Sequence, residues 1–422
     1  MVEIDAKPGD YVKLKLAREE LECTMLESYD AGVILVKLKS GYNIGVPREN
    51  VYGVEVLRRF ESKKEIKKIE QKKGLPLIGL IVTGGTIASK LDSRTGAVSA
   101  LTDVNELAQF YPGLFEIANV RIDVPFMKLS ENMNSEDWII LSESVNKMMD
   151  DKEIQGIVIT HGTDTLHYTS AALSFFLGKL NKPVVLTFAQ RSIDRASSDA
   201  DLNLRCAAKF ALSDCAEVVI VGHANLDDEY CFALRGTKVR KMHTSRRDAF
   251  KSINCEPIAK IWPDKVEFLS QFKARHEGKN DTDITFNDKV ALIKFYPGAS
   301  ADLIDYYRMH GYKGIVIEVL GLGGLPVGGA NSWEAVIKKA IREGMIVCGA
   351  SQTIYGRLNA KVYSGSRELE NLGMIFLEDM LAETAFVKLG WVLGHRTWRT
   401  PEKIREMMLE NVAGELKGIL TI

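Results

Sequence analysis

Two short apolar runs, Leu77–Val82 and Gly156–Thr160, each stop at a turn built of glycine and threonine. Thr83-Gly84-Gly85-Thr86-Ile87 follows the first and His161-Gly162-Thr163-Asp164-Thr165 the second. Runs of this length, rich in Ile and Val and bounded by glycine, read as buried strands. Similar runs recur at Pro183–Phe188 and Glu217–Val221, with helical stretches between them such as Ser135–Met149 and Ser170–Lys179. This alternation predicts an α/β domain on a mostly parallel sheet. In such sheets ligands bind beyond the carboxyl ends of the strands, so the two threonine turns are where chemistry is expected.

The rest of the chain divides around that domain. Residues 1–57 read as five short strands, Tyr11–Leu16, Cys23–Glu27, Gly32–Lys37, Asn43–Pro47 and Val51–Leu57, parted by polar or glycine-containing turns such as Ser40-Gly41. That spacing predicts a small β-barrel, SH3-like or Sm-like in outline. A linker, 58–75, follows. Within it Arg58–Lys73 holds eight Lys/Arg and three Glu, with Phe60, Ile66 and Ile69 the only apolar residues. This is the pattern of a solvated helix, and its basic face also suits an RNA backbone. The first α/β domain spans 76–276. The polar stretch His276–Asp288 breaks the alternation, and 288–422 reads as a second α/β domain. Its strands are expected at Val290–Phe295, Gly314–Val319 and Met345–Gly349, and its helices around Leu377–Leu389 and Pro401–Asn411.

Bulk properties exclude several classes. The net charge is −1, which argues against a globally basic nucleic-acid binder. No apolar run approaches a membrane span, and the first residues lack the pattern of a secretory signal. The six cysteines, at 23, 206, 215, 231, 255 and 348, form no CxxC pair and no zinc-like cluster with histidine. They read as buried reduced thiols of a cytoplasmic protein, with no metal site expected. His161 is expected to be structural, and Trp333, Trp391 and Trp398 to be core or interface residues.

Either threonine turn alone fits an ordinary strand-to-helix connection with threonine capping the helix. Glycines there also let the backbone approach a ligand and present N–H groups to an oxyanion, and a nearby hydroxyl becomes a nucleophile once a base is in reach. Taken together, TGGTIAS and HGTDT resemble the signature pair of the bacterial-type L-asparaginases and their glutaminase relatives. Further stretches match in order: Leu129–Asn134, Ala189–Ser192, Val239–Ser245 and Ala249–Ser252. The resemblance implies that Thr86 is the nucleophile attacking a side-chain amide. It implies Thr163, Asp164 and Lys241 as a hydroxyl–carboxylate–ammonium group across the substrate. Ser130, Glu131 and Asp164 would hold the α-amino and α-carboxylate groups, and Gly85, Gly162 and Ala189 would line the substrate with backbone.

Two departures from that family bear on activity. Stand-alone asparaginases carry a Tyr in the loop after the first threonine motif, and Ala88–Leu101 has none; Glu131 stands where Gln is common. Both lead to the expectation that a partner completes the site; Tyr355 is one candidate substitute from within the chain. With the N-terminal barrel and Ser197–Leu204 (SSDADLNL), the whole chain is similar to the amidase subunits of archaeal glutamyl-tRNA(Gln) amidotransferases, the GatD family. That resemblance implies hydrolysis of glutamine, or asparagine, to supply ammonia. It implies a homodimer through the asparaginase body, with the glycine-rich loop Gly321–Gly329 near a neighbour's site. It further implies a GatE-like partner subunit in a heterotetramer, which binds glutamyl-tRNA(Gln) and uses ATP and magnesium. The chain itself has no GxxxxGK[ST] nucleotide loop and is expected to bind no cofactor. Two other readings are a free-standing cytoplasmic asparaginase or glutaminase, and a non-catalytic RNA-binding protein on the same fold.

Overall fold

The computed structural model describes residues 5–28, 30–60, 72–91, 98–100, 103–193, 195, 197–329 and 331–418. The centre of the expected helical linker, 61–71, therefore lies outside the described residues, as does most of the loop after Leu91.

Five antiparallel strands form the N-terminal unit: β1 (Tyr11–Leu16), β2 (Glu20–Met25), β3 (Val33–Leu38), β4 (Asn43–Pro47) and β5 (Val51–Arg58), in the order β4-β3-β2-β1-β5. Alternate residues point inward, so Val12, Leu14, Cys23, Met25, Ile34, Val36 and Val46 build a separate small core. Irregular register between β1 and β5 at both ends of β1 bends the sheet. Among the described residues no ladder joins β4 to β5, so the expected barrel is a curled sheet with one open seam.

The first α/β domain is an eight-stranded sheet. Its strands are β6 (Leu77–Val82), then, past a small hairpin of β7 (Ser89–Leu91) and β8 (Val98–Ala100), β9 (Asn119–Asp123), β10 (Ile154–Thr160), β11 (Val184–Thr187), β12 (Val218–His223) and β13 (Cys231–Arg235). A second hairpin, β14 (Val239–Lys241) with β15 (Phe250–Ser252), stands outside the sheet, which ends in β16 (Ala259–Ile261) and β17 (Val266–Phe268). The order is β17-β16-β13-β12-β11-β10-β6-β9. The strands from β9 to β12 are parallel, as expected, whereas β13, β16 and β17 pair antiparallel. These last strands are short, and the apolar runs that announce the central strands are absent from them. Helices α1 (Val104–Phe110), α2 (Leu114–Ile117), α3 (Ser135–Met149), α4 (Leu166–Phe176) and α5 (Ala200–Ala211) complete the layers. α5, with α1 and α2, covers one face; α3 and α4 cover the other.

The second α/β domain has four parallel strands in sequence order: β18 (Val290–Lys294), β19 (Gly314–Val319), β20 (Ile346–Ser351) and β21 (Ile375–Phe376). Helices α6 (Asp302–Met309), α7 (Glu334–Arg342) and α8 (Ser364–Asn371) pack on one face, and α9 (Ala382–Gly394) and α10 (Pro401–Leu409) lie on the other. The expected helix around Leu377–Leu389 begins later, at Ala382, because Glu378 takes a left-handed conformation (φ 52°).

The two domains share a core. Phe175 and Phe176 of α4 pack with Trp391, Val387 and Phe286, and Phe175 stacks on Trp391 at 5.5 Å. The polar stretch after His276 threads this seam: Asp283 N donates to Phe176 O and Asn287 N to Gly390 O. Lys238, fully buried, donates to the carbonyl and carboxylate of Asp379 at 2.8 and 2.5 Å. A buried ammonium needs such partners, so this pair fixes how the domains meet. Trp333 and Trp391 are core residues as expected, and Trp398 is half-buried on His395. All six cysteines are unpaired and five are buried. Among the described residues no helix is long and apolar enough to cross a membrane.

Candidate active site

Strand order places β6, β10 and β11 side by side and parallel. The turns after them, Thr83–Thr86, His161–Thr165 and Phe188–Gln190, therefore emerge along one edge of the sheet. Thr83 Oγ1 donates to Thr160 O at 2.8 Å and binds the first turn to the second. Gly85 has φ +78°, and a β-carbon there would fall 2.6 Å from Gly162 N. No side chain fits at Gly85, and this close approach sets Thr86 beside the Gly162–Thr163 turn. Thr86 is partly exposed and opens a single turn of tight helix.

Beside the Gly162 turn, three of the expected residues meet directly. Lys241, at the end of β14, donates to Thr163 Oγ1 and to Asp164 Oδ1, each at 2.8 Å. Its side chain is 13% exposed and that of Asp164 is 64% exposed, so the ammonium is sheltered while the carboxylate faces out. Thr163 and Asp164 precede the amino end of α4, whose unpaired N–H groups favour negative charge nearby.

Ser130 is buried beneath this cluster. It accepts from Asp164 N at 3.3 Å through its hydroxyl, and its carbonyl accepts from Thr165 Oγ1 at 2.8 Å. Gly162 lies against the Ser130 side chain. Glu131 is exposed on the same short turn. Ala189 is buried where the chain leaves β11, next to the Gly162 turn. That exit is fixed by Asp199, whose carboxylate accepts from Gln190 N and Arg191 N at 3.0–3.1 Å. Asn203 Nδ2 adds a bond to Phe188 O at 2.9 Å.

His161 is structural. Its Nδ1 faces Gly162 O at 2.7 Å and so carries the proton, leaving Nε2 to accept from Thr169 Oγ1 at 2.9 Å. Trp138 Nε1 donates to the same Thr169 oxygen. Full burial pushes the His161 pKa down to about 4 and keeps the ring neutral.

Several supporting residues carry no signal in the sequence. Lys128 N donates to Thr83 O, and its ammonium is 2.6 Å from buried Asp137. Arg240, beside Lys241, is 2.8 Å from Glu383 at the start of α9, so the second domain steadies the strand that carries the lysine. Thr83 and Lys128, and Arg240 and Glu383, lie far apart in the chain, and only the fold brings them together. Tyr355 is exposed on a turn held by two hydrogen bonds between Asn254 and Gly356.

Comparison with known proteins follows the same divisions. Residues 77–274 match the asparaginase N-terminal domain, 289–408 the glutaminase/asparaginase C-terminal domain, and 6–57 the GatD N-terminal domain. The chain is 48% identical over 420 residues to the GatD subunit of glutamyl-tRNA(Gln) amidotransferase from Pyrococcus abyssi, covering 97% of this chain and 94% of that one. With the GatD subunit from Methanococcus maripaludis it shares 39% identity over 422 residues, covering 98% and 99%. Among solved structures, the thermostable L-asparaginase from Thermococcus kodakarensis superposes with a TM-score of 0.72 at 33% identity, covering 81% of this chain and 99% of that chain. L-asparaginase I from Vibrio cholerae gives 0.68 at 26% identity, covering 82% and 100%.

Proposed function

The chain belongs to the GatD family of glutamyl-tRNA(Gln) amidotransferase subunits, and we propose that its Thr86 turn and its Thr163–Asp164–Lys241 cluster are the two halves of the amide-hydrolysing site. It is the amidase subunit of a tRNA-dependent amidotransferase, built on an asparaginase body, that supplies ammonia for converting glutamyl-tRNA(Gln) to glutaminyl-tRNA(Gln). The observation that carries the site assignment is the double hydrogen bond from Lys241 to Thr163 and Asp164, next to the Gly162 turn against which Gly85 packs.

In this reading Thr86 Oγ adds to the side-chain amide carbon of glutamine or asparagine, and its proton passes to the departing nitrogen through the Thr163–Lys241 pair. Ammonia leaves and an ester to Thr86 remains. Water then adds to the ester carbon, the free acid departs, and a proton returns to Thr86. Backbone N–H groups of the Gly85 and Ala189 turns would stabilise the oxyanion. Ser130, Glu131 and Asp164 take the α-amino and α-carboxylate groups, with Gly162 packed beneath.

The wider assembly follows from the same membership. A GatE-like subunit would use ATP and magnesium on glutamyl-tRNA(Gln), and a homodimer through the asparaginase body would form the centre of a heterotetramer. The likeness to free-standing L-asparaginases over four-fifths of the chain supports one other reading, hydrolysis without a partner. Ammonia release from glutamine separates the two. It is measured for the purified chain, then with the partner subunit, glutamyl-tRNA(Gln), ATP and magnesium. Low activity alone with strong stimulation in the mixture is expected. High activity unchanged by the additions would make this a free-standing hydrolase.

A further inference from the structure

The N-terminal sheet touches the amidase body at a loop that belongs to the site. Asp199 and Asn203 pin the chain where it leaves β11, so that Ala189 and Gln190 stand next to the Gly162 turn. Between Gln190 and Asp199 the described residues bond to one another. Ser198 Oγ donates to Arg191 O at 3.0 Å, Arg195 N to Ser192 O at 3.0 Å, and Ser198 N to Arg195 O at 3.0 Å. The start of this stretch is thus pinned by Asp199 and Asn203, and Arg195 is bonded through its backbone to Ser192 and Ser198.

Arg195 meets the hairpin between β3 and β4. The Arg195 guanidinium lies 4.5 Å from the centre of the Tyr42 ring. The preceding residue, Gly41, has φ +87°, and a β-carbon there would come within 2.8 Å of Arg195 Cγ. Only glycine both makes the turn and lets the arginine stem lie across it. Arg195 Nε is shielded from water and has no hydrogen-bond partner among the described residues. An N–H in that position is costly, and the face of the Tyr42 ring is the partner offered to the cation. Tyr42 is 54% exposed, so it adds little to the hydrophobic core of its own sheet.

We infer that Tyr42 is a positioning residue for the amide-hydrolysing site: through Arg195 it holds the 189–199 loop, whose base presents Ala189 and Gln190 to the substrate. This rests on the site assignment proposed above. It gives the N-terminal sheet a direct link to the substrate loop. Gln190 adds a second observation at the base of the loop, since its side-chain Nε2 is buried with no partner among the described residues.

Two measurements on the full chain with its partner subunit test this. One is hydrogen exchange of the peptide spanning 189–199; the other is kcat and KM for ammonia release from glutamine. They are made on the wild type and on Tyr42→Ala, Tyr42→Phe and Arg195→Ala. Tyr42→Ala and Arg195→Ala should speed exchange in that peptide and raise KM by about two- to fivefold, the range of an exposed cation–aromatic contact. Tyr42→Phe, which keeps the ring face, should restore both, and the Tyr42→Ala/Arg195→Ala double variant should be no worse than either single one. Unchanged exchange in Tyr42→Ala would overturn the inference, as would faster exchange with KM unchanged. A wild type that releases no ammonia from glutamine or asparagine would overturn the site assignment and the claim about substrate capture with it. The exchange comparison would then decide separately whether Tyr42 holds the loop.

Discussion

Lys241 and Thr163 are 78 residues apart in the chain, yet the ammonium of one lies 2.8 Å from the hydroxyl of the other, with Asp164 at the same distance. An ammonium held between a hydroxyl and a carboxylate is a proton carrier of fixed geometry, and the hairpin of β14 and β15 holds it there. Replacing Lys241 with Met keeps the stem and removes the proton. We predict that Lys241→Met and Thr163→Ala each lower kcat for ammonia release by about 100-fold or more, while assembly with the partner is retained. Thr86→Ala should abolish turnover. Near wild-type rates in all three variants, measured by stopped-time ammonia assay, would show that the chemistry lies elsewhere.

Gly85 offers a test that removes no functional group. A side chain at φ +78° is strained by about 1–2 kcal/mol, and its β-carbon would also press on Gly162 N. Gly85→Ala should push the Thr86 turn away from the Gly162 turn. We expect activity to fall by at least tenfold and the urea midpoint to drop. A variant with both properties unchanged would mean that the two turns need not touch.

How much of this is legible in the chain depends on where the signal resides. Strands β6 and β10 and their threonine turns are readable because buried parallel strands are continuous apolar runs and the turns need glycine. Thr86, Thr163, Asp164, Lys241 and Ser130 are identified by resemblance, and the structure brings the last four of these into one hydrogen-bonded group. The antiparallel strands β13, β16 and β17 escape a sequence reading because they are three to five residues long, too short to carry a pattern. Glu383 and Tyr42 are silent for a different reason. A single Glu at a helix start or a single Tyr in a hairpin gains meaning only from a residue more than a hundred positions away.

The Arg240–Glu383 contact leads to a prediction about the link between domains. Glu383 is 6% exposed, and its second oxygen is buried without a partner among the described residues. The pair joins α9 to the residue before Lys241. Glu383→Ala leaves the half-buried Arg240 without its carboxylate, at a cost of about 1–3 kcal/mol in stability. If the contact also aims Lys241, kcat should fall by about tenfold, equivalent to about 1.4 kcal/mol in the transition state, with KM little changed. A loss of stability with unchanged kcat would confine Glu383 to a structural role.

Acid should weaken the fold through two buried imidazoles. His161 is neutral and fully buried, and its pKa is pushed from the ordinary histidine value of 6.5 down to about 4; burial likewise lowers His167, to about 3. The unfolded chain takes up protons at these rings near pH 6.5, and the native state does so only well below that. Between those values the unfolded state binds more protons, so stability is fully present above about pH 6.5 and is lost progressively as pH falls toward about 4. Each ring can contribute a loss of about 3 kcal/mol over that window. His161→Gln keeps a donor for Gly162 O and an acceptor for Thr169 without a group that titrates. Urea unfolding at pH values of about 7.5, about 6, about 5 and about 4.5 should therefore show a shallower decline for His161→Gln than for the wild type. Parallel declines in the two proteins would mean that His161 takes up its proton at the same pH in the folded and unfolded chain, so that burial does not hold its pKa down at about 4.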